Sequence, residues 1–586
     1  GMPAQMDDIK NIRQELDLWD GEINSYFEVE GEPVRVRTVC HPQLDMVAAN
    51  VQSPLVAQHR LGIHIRFPYP GGDWEGTPDY DHPDKHSTTY QYLNDRQVLF
   101  ERQLDKTYYQ VILQWNGDEA LQRKAPHDYV LNPLGEDETL AFSCLFTPAS
   151  PSKVRGAGQS GPAANLFTAA EQRISSQAFR HIWGDSQEDW QNFWERGGAV
   201  DLSGSTDPRA AKLERRIVLS QYLTRIQCAG NTPPQETGLT YNSWYGKFHL
   251  EMHWWHAAHF ALWSRPELLE KSLAWYAGIK NKARETAVKQ GYNGVRWPKM
   301  TDPSGTESPS PIGPFLIWQQ PHFIYMAELC YRDHPDNATL QHYKDLVFAT
   351  ADFMASYSWY DTVKHQYMLG PALIPAQERF DQATTMNPSF ELAYWRWGLR
   401  TAQQWRKRLN MNPQPEWDSV IAKLAPYATS KDSLYLATAS APDSYTNPRY
   451  MTDHPAVLGM DGFIPPGPEV DSAIMLRTFR KILQSWNWEE TWGWDYPLVA
   501  MAATRLGQPE AAIDVLMKQV TKNTFLPNGH NYQRDNLRIY LPGNGALLSA
   551  IAIMCAGWDG YTGPDAPGFP KNGKWQVKWE GLKPMP

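Results

Sequence analysis

The sequence predicts a mainly α-helical protein, an α/α toroid preceded by an N-terminal antiparallel β-sandwich. Two periodicities carry this prediction. Residues 22–150 alternate polar and apolar side chains in short runs such as "EPVRVRTVCH" and "YYQVILQW", separated by Gly, Pro, Asn and Asp. Period-two alternation with frequent turns is typical of antiparallel strands. From about residue 207 the pattern changes to long amphipathic helices, which indicates a second domain of another class.

We place the β-sandwich at residues 1–165, because the last alternating run, "LAFSCLFTP", is followed by "SPSKVRGAGQSGPAAN", which has few large apolar residues. The helical stretch "LFTAAEQRISSQAFRHIWGDSQEDWQNFWERGG" comes next. It predicts a linker at residues 166–205 that contains one or two helices.

The toroid is predicted at residues 206–560. Its helices are expected at 208–229, 250–263, 266–289, 313–333, 337–359, 388–409, 414–424, 468–485, 494–506, 508–521 and 543–556. Irregular loops rich in Pro, Gly and Trp separate them, an arrangement that suits paired hairpins closed into a ring. The tail, residues 561–586, contains "WQVKW", which predicts a strand that returns to the β domain.

Composition excludes several classes of function. The formal net charge of -10 is spread along the chain, so a nucleic-acid partner is not expected. The five cysteines have no paired spacing, which favours buried thiols over a disulfide framework or a zinc motif. No apolar run reaches the roughly 18 residues of a membrane span. The 25 Trp and 28 Tyr residues, in contrast, supply flat rings with polar edges that suit the faces of sugars.

The chain starts "GMPAQM", with a Gly before Met as removal of an expression tag leaves it. An export signal can have been trimmed with the tag. We expect a periplasmic or secreted protein, with a cytoplasmic location as the alternative, and a monomer or homodimer.

The stretch "WYGKFHLEMHWWHAAHFALW", residues 244–263, raises the question of a metal site. His249, His253 and His256 recur at i, i+4 and i+7, a spacing that can bind zinc from one helical face. However, no H-E-x-x-H motif is present, and Glu251 falls about two residues off that face. We therefore expect no metal and no other cofactor.

A core-only interpretation of the same stretch accounts for Trp254 but not for its polar residues. Lys247, His249, Glu251 and His253 stand at alternate positions and need partners or water. We interpret the stretch as a sugar-binding wall in which Trp254 stacks and the polar groups bind hydroxyls.

The segment "WYGKFHLEMHWWHA" resembles the α-L-fucosidase family, glycoside hydrolase family 95. The matching positions are Leu250, Met252, Trp255 and Ala257. Where that family has Asn, Asn, Gln and Asn, this sequence has Lys247, His249, Glu251 and His253. The segment also resembles the maltose phosphorylase and trehalase family, glycoside hydrolase family 65, whose sugar-gripping Trp-Asp pair aligns with Leu250 and Glu251. Both resemblances imply a β-sandwich, a helical linker and an (α/α)6 six-hairpin barrel.

A loop in "YMLGPALIPAQERFDQATTMNPSFELAYWRWGLRTA" resembles the acid loop of family 65, which implies that Glu378 is a general acid and that Asn387 stands for a family Asn. Gln377 replaces the Asp that precedes the family Glu. Apolar neighbours would raise the pKa of Glu378 and keep its proton available. The alternative is a solvated glutamate paired with Arg379.

Hydrolysis with inversion needs a second carboxylate about 6.5 to 9.5 Å from the acid. "WNWEETWGWDYP" offers Glu490 or Asp495 as this base, with Trp492 and Trp494 as substrate-binding rings. Asp495 could instead cap the following helix.

In the fucosidase family the base is an Asp, but Pro542 occupies its position here. The His-Asp-Ser-Ser phosphate site of the phosphorylases is also missing, which favours hydrolysis over phosphorolysis.

A further loop, "GYNGVRWPKMTDPSGTESPSPIGPFLIWQQPH", supplies candidate substrate ligands: Arg296, Trp297, Lys299 and Gln320. Lys and Arg would suit a carboxylated sugar. Ordinary loop salt bridges would explain these residues equally well.

The sequence thus predicts an inverting glycoside hydrolase that acts on an oligosaccharide or polysaccharide fragment. Two alternatives of other classes stay open. One is a polysaccharide lyase of the α/α toroid type, although lyases usually place the sandwich after the toroid. The other is a catalytically inactive carbohydrate-binding protein, which the altered pocket residues allow.

Overall fold

A computed structural model describes residues 5–149 and 179–586. The chain divides into two compact units, Gly1–Arg196 and Gly197–Pro586. The predicted end of the sandwich at residue 165 and the predicted linker as far as residue 178 lie outside the described residues.

The first unit contains two antiparallel β-sheets, as the period-two pattern predicts. Its strands are β1 (Ile9–Asp17), β2 (Glu22–Val29), β3 (Glu32–Cys40), β4 (Met46–Gln52), β5 (Ile63–Arg66), β6 (Tyr69–Pro70), β7 (Pro78–Asp79), β8 (His86–Asn94), β9 (Gln97–Leu104), β10 (Thr107–Asn116), β11 (Glu119–Ala125), β12 (Asp128–Pro133) and β13 (Thr139–Ala149). The large sheet has the order β1-β2-β3-β4-β13-β10-β9-β8, and β11-β12-β5 form a second sheet. A short pair, β6 and β7, stands apart.

Successive side chains along a strand point to opposite faces of the sheet, so the apolar core of this unit forms separate layers. Leu99 and Ile112 pack with Phe179 and Ile182 of helix α2 (Phe179–Glu195). The residues next to them, such as Phe100, face the other way and pack with the second sheet. A short helix, α1 (Pro54–Ala57), lies between β4 and β5.

The second unit is helical. Its helices are α3 (Ala210–Cys228), α4 (His253–Leu262), α5 (Pro266–Gly278), α6 (Lys280–Lys289), α7 (His322–Asp333), α8 (Asn337–Tyr357), α9 (Ser389–Arg408), α10 (Pro415–Lys423), α11 (Ser472–Ser485), α12 (Asp495–Arg505), α13 (Pro509–Leu516) and α14 (Leu541–Ala556). The predicted helix 266–289 is broken at Ile279. The helix predicted from residue 313 begins only at His322, after Pro321, because the apolar loop before it imitates a helical pattern.

Helices α4, α7, α9, α12 and α14 bury most of their residues. Together with the 3-10 segment Ala456–Met460 they contact each other in succession: α14 to α4, α4 to α7, α7 to α9, α9 to the 3-10 segment, the segment to α12, and α12 back to α14. Each of the six also contacts a second helix: α5 on α4, α8 on α7, α10 on α9, α11 on the 3-10 segment, α13 on α12 and α3 on α14.

Short strands complete this unit: β14 (Ala199–Asp201), β15 (Phe248–His249), β16 (Met300–Thr301), β17 (Trp359–Asp361), β18 (Gln366–Met368), β19 (Thr524–Phe525), β20 (Asn531–Tyr532) and β21 (Lys578–Glu580). The strand of the tail, β21, pairs with β14 inside the helical unit. This corrects the expectation that the tail pairs with the β domain, because "WQVKW" identifies a strand but not its partner. No helix in the described part of the chain is long and apolar enough to cross a membrane.

Candidate active site

Acidic and basic side chains gather in the segments that precede the buried helices. Glu251 lies just before α4, and Lys299 in the segment between α6 and α7. Glu378 precedes α9, Asp453 precedes the 3-10 segment, and Asp495 is the first residue of α12. These segments are far apart in sequence, but the contacts below join their side chains into one site.

Lys299 joins two of the carboxylates. Its Nζ lies 2.9 Å from Glu251 Oε2 and 2.9 Å from Glu378 Oε1. The pairing of β15 with β16 places Glu251 beside Lys299, because it sets His249 opposite Met300. The backbone N–H of Glu251 then donates to the carbonyl of Lys299 at 3.2 Å. The result is a buried ammonium between two carboxylates from different loops.

Glu251 has further donors that favour its ionised form. Trp318 Nε1 donates to Glu251 Oε1 at 2.8 Å, and His249 Nε2 lies 3.3 Å from Oε2. Glu236 Oε2 lies 3.3 Å from Nδ1, the other ring nitrogen of His249. Burial opposes ionisation of Glu251, but Lys299 and His249 outweigh it and hold the pKa of this carboxyl well below its usual value.

Glu378 shows the opposite behaviour. Burial raises the pKa of its carboxyl, Lys299 opposes this effect, and the carboxylates of Glu251 and Asp453 add to it. Its side chain is nevertheless 26% exposed, whereas that of Glu251 is 3% exposed. Of the two carboxyls that share Lys299, Glu378 is therefore the one that holds a proton more readily and has the greater access to solvent.

Three contacts hold the loop that carries Glu378. The N–H of Ala376 donates to Glu391 Oε1 at 2.6 Å. Gln377 donates through Nε2 to the carbonyl of Tyr450 at 2.7 Å, and the N–H of Glu378 donates to Asp453 Oδ2 at 2.8 Å. These bonds hold residues 376–378, so the position of the Glu378 carboxyl does not depend on Lys299 alone.

Asp453 belongs to a second charged group with His454 and Asp495. His454 Nδ1 is 2.8 Å from Asp495 Oδ1, and His454 Nε2 is 3.6 Å from Asp453 Oδ1. Burial lowers the pKa of His454, but Asp453 and Asp495 outweigh it and raise the pKa to about 9. Burial raises the pKa of Asp495 to about 6, against the opposing charge of His454. His454 is therefore a cation at neutral pH.

Indole rings surround this second group. Trp492 donates through Nε1 to Asp453 Oδ1 at 3.1 Å and through its backbone N–H to Asp495 Oδ2 at 2.7 Å. Trp494 stacks on the His454 ring at 4.0 Å. Trp244 lies 6.4 Å from the Trp492 ring. The partly exposed Trp492 thus links the charged groups to an aromatic surface.

The structure brings together seven of the residues that the sequence singles out: His249, Glu251, Lys299, Glu378, Trp492, Trp494 and Asp495. Glu490 lies at the edge of the same region. Its carbonyl accepts from the N–H of Asp453 at 2.7 Å, and its side chain, 57% exposed, is 3.9 Å from Arg379. Lys247 is partly exposed.

Six other candidates are buried within the fold: His253, Trp254, Arg296, Trp297, Gln320 and Asn387. His253 hydrogen-bonds Tyr276 and Ser272. Arg296 donates to carbonyls and to Gln320 Oε1. Such partners favour a supporting role over direct contact with a sugar.

Trp297 and Asn387 show the same pattern, whereas the buried indole N–H of Trp254 has no hydrogen-bond partner among the described residues. Trp254 packs against Trp255 and Phe463, and Trp297 Nε1 donates to Thr350 Oγ1. Asn387 Oδ1 accepts from the N–H of Leu369.

Sequence reasoning missed Asp453, His454, Glu236 and Tyr540. Tyr540 forms a side-chain hydrogen bond with Glu236, and this bond opposes the burial that raises the pKa of Glu236. The sequence contains one indication of Asp453 and His454: they form an Asp-His pair directly before Pro455 and an apolar run.

Among residues 5–149 and 179–586, no group of three or more His, Cys, Asp and Glu side chains is placed to hold a metal ion. His253 and His256, two members of the suspected triad, have other partners: His256 Nε2 lies 3.3 Å from the carbonyl of Glu236. Independence from metal remains a prediction.

Comparison with known proteins identifies the fold. No protein-family profile matches the sequence, and no curated protein matches it. The structure of "Putative kojibiose phosphorylase from human microbiome" matches with a TM-score of 0.72 at 11% identity, over 97% of this chain and 79% of that chain. A bacterial glucoamylase complexed with acarbose matches with a TM-score of 0.48 at 10% identity, over 93% and 85% of the two chains. A family GH92 alpha-mannosidase from Bacteroides thetaiotaomicron gives 0.44 at 11% identity, over 96% and 72%. The first match shows that this chain shares the overall fold of that structure, with a β-sheet unit followed by a helical unit.

Proposed function

We propose that the chain is a carbohydrate-active enzyme, an inverting glycoside hydrolase that cleaves an O-glycosidic bond in an oligosaccharide or polysaccharide fragment. The observation that carries this proposal is the division of roles around Lys299. One carboxyl of the pair, Glu251, is held ionised, while the other, Glu378, has a raised pKa and access to solvent. The closed succession of contacts among the six buried segments supports an (α/α)6 toroid around this site.

In this mechanism Glu378 protonates the leaving glycosidic oxygen. A general acid must be protonated before the reaction and within reach of the substrate. Glu378 fits both the protonation and the access requirement better than Glu251 does, because both carboxylate oxygens of Glu251 already have donors. Glu251 instead offers a fixed negative charge beside the reacting sugar, with Lys299 as its counter-ion.

The base that activates water is Glu490 or Asp495. Asp495 has the ordered surroundings expected of a base, since His454 and the N–H of Trp492 orient it, but its side chain is fully buried. Glu490 is open to water but has one weak ionic contact, with Arg379. Inversion requires room for a water molecule between acid and base. The substrate would stack on Trp492 and bind the polar rim that includes Lys247.

Glu378→Gln tests the assignment of the acid. Loss of a general acid typically lowers the rate about 10²- to 10⁴-fold, and less for leaving groups that need no protonation. We expect this loss on natural glycans and a smaller one on activated aryl glycosides. Glu416→Gln, on the exposed surface of α10, is the matched control. A folded Glu378→Gln variant with wild-type activity on natural substrate would refute the assignment.

The base is tested with azide, because a small anion can replace a missing carboxylate on the water side. Of Glu490→Gln and Asp495→Asn, the variant at the true base should lose activity and recover it in azide as the glycosyl azide. The products also separate the alternative functions. Unsaturated, ultraviolet-absorbing products indicate a lyase, reducing ends alone indicate a hydrolase, and binding without products indicates a carbohydrate-binding protein.

A further inference from the structure

The carboxylate of Asp453 lies between two residues to which the proposed function gives different roles. Its Oδ2 accepts the backbone N–H of Glu378 at 2.8 Å. Its Oδ1 accepts from Nε1 of Trp492 at 3.1 Å. Glu378 is the proposed acid, and Trp492 is the proposed stacking ring for the sugar. One side chain therefore connects the proton donor to the surface that would hold the substrate.

The backbone of Asp453 adopts an unfavourable conformation. Its φ angle is 63°, in the left-handed region that favours glycine. The N–H of Asp453 donates to the carbonyl of Glu490 at 2.7 Å, and its carbonyl accepts from Trp486 Nε1 at 2.8 Å. These two bonds hold the residue in this conformation. Such residues cluster at functional sites, so the observation leads to a hypothesis about the role of the side chain.

The surroundings of Asp453 favour an indirect role. The residue is 4% exposed. Besides the donor that each oxygen already has, the ring of His454 places Nε2 at 3.6 Å from Oδ1. A buried carboxylate with donors on both oxygens is poorly placed to contact a sugar. Asp453 is therefore a candidate for a positioning residue, which acts through its neighbours, and not for a catalytic residue.

Asp453 also acts on Glu378 through its charge. Burial raises the pKa of the Glu378 carboxyl, and the carboxylates of Glu251 and Asp453 raise it further. Two cations act in the opposite direction, namely Lys299 and, on the other side of Asp453, His454. Loss of the charge of Asp453 removes one of the two carboxylates that favour the protonated acid.

We propose that Asp453 is a positioning residue that holds the loop of Glu378 and the ring of Trp492 in one geometry, so that a sugar stacked on the ring meets the acid. The inference rests on the proposed hydrolase function. It adds to that function a link between substrate stacking and proton transfer, through a residue that the mechanism above does not use.

Asp453→Asn is the first test. Asparagine offers one acceptor oxygen and one amino group. It can accept from Glu378 or from Trp492 but not from both, and its amino group then faces the other N–H. A misplacement of about 1 Å can lower a rate about 10²-fold, and we expect a loss of this order in kcat/KM. The alkaline limb of kcat/KM should move to lower pH, because loss of the negative charge lowers the pKa of Glu378.

The probes are the disaccharides maltose, isomaltose, cellobiose, lactose and trehalose, and kinetics are measured on the one that the full-length wild type hydrolyses fastest. Asp453→Glu separates charge from position. It keeps the negative charge but moves the oxygens, so kcat should fall while the alkaline limb stays near its wild-type pH.

Trp492→Phe tests the link from the other end. Phenylalanine keeps a ring for stacking but lacks the N–H that reaches Asp453, so kcat should fall with little change in KM. The double variant Asp453→Asn/Trp492→Phe should be no less active than Asp453→Asn alone, because both changes remove the same bond and the second also removes the facing N–H. Independent roles would instead multiply the two losses. Trp492→Phe also covers the case in which Asp453→Asn does not fold, since an unchanged kcat there overturns the proposal.

Asp207→Asn is the matched control. Asp207 is also a buried carboxylate of the helical unit, 8% exposed, and pairs with Arg209 at 2.9 Å. Its loss should lower the unfolding temperature and leave the pH profile of kcat/KM unchanged.

Three results would overturn the proposal while the hydrolase function stands, that is, with an active wild type and an impaired Glu378→Gln variant. These are wild-type kcat/KM in folded Asp453→Asn, an alkaline limb in that variant at the wild-type pH or above, and multiplied losses in the double variant. Absence of hydrolysis by the wild type on every probe would overturn the hydrolase proposal and this one together, so the two failures are distinguishable.

Discussion

Lys299→Met removes a buried ammonium that lies 2.9 Å from both Glu251 and Glu378. Methionine has similar length and apolar bulk, so the change deletes charge with little change in packing. Two carboxyls then face each other without the cation between them. Removal of one member of a buried ion pair typically costs about 3 to 5 kcal/mol. We expect a loss of this order at pH 7, measured by chemical denaturation.

The loss should depend on pH with a definite sign. The pKa of Glu251 is depressed in the folded state, so its ion pair contributes stability above the ordinary carboxyl pKa of about 4.3 and loses it as the pH falls below that value. The difference between wild type and Lys299→Met should therefore be largest near neutrality and should shrink below about pH 4.

The pH dependence of activity should change on the alkaline side. Without Lys299 the pKa of Glu378 rises further, since the ammonium is what opposes burial there. If Glu378 must be protonated to react, the alkaline limb of kcat/KM moves to higher pH. Lys271→Met, on the exposed surface of α5, is the control and should change stability by less than about 0.5 kcal/mol. Wild-type stability at pH 7 together with an unshifted alkaline limb would refute the reasoning.

Two further predictions concern packing and the second charged group. Gly545→Ala should destabilise by about 3 kcal/mol or more, because its Cβ would lie 2.0 Å from the carbonyl oxygen of Trp255. Gly278→Ala, which meets no atom within 4 Å, should be neutral or stabilise by up to about 1 kcal/mol. His454 has a folded pKa of about 9, raised by Asp453 and Asp495, so the stability that its protonation contributes is fully present below the unfolded pKa of about 6.5 and is lost as the pH rises through 9. His454→Gln should thus lose about 3 kcal/mol at pH 6 and clearly less at pH 10; an equal loss at both would contradict the assignment.

The helices could be predicted from the sequence because an apolar face repeats at the helical period wherever a helix packs. The helix expected at 388–409 is observed as Ser389–Arg408, and that expected at 494–506 as Asp495–Arg505. Loops lack such a repeat. The segment before His322 is apolar because it is buried, not because it is helical.

Several residues of the candidate site could be singled out from the sequence, and their role in function stays a prediction. Glu251, Lys299 and Glu378 are each recognisable as polar groups in aromatic or apolar surroundings, but their association depends on the pairing of β15 with β16, which no local pattern encodes. Arg296 and Gln320 show the converse problem. Some buried loop residues donate to backbone carbonyls, and others bind substrate. The sequence does not distinguish the two kinds, because both are polar groups in a loop.

The charges of the site also bear on the order of events in the proposed mechanism. With a proton on Glu378, the group of Glu251, Lys299 and Glu378 carries no net charge. The carboxylates of Asp453 and Asp495 around the His454 cation leave the second group with one net negative charge at neutral pH. A nearby negative charge favours retention of the proton on Glu378 in the free enzyme. It also favours the positive charge that develops on the sugar as the bond breaks, because the transition state of glycoside hydrolysis is oxocarbenium-like. Proton loss from Glu378 is therefore disfavoured before substrate binds, and becomes favourable when the leaving oxygen takes the proton and the sugar becomes cationic.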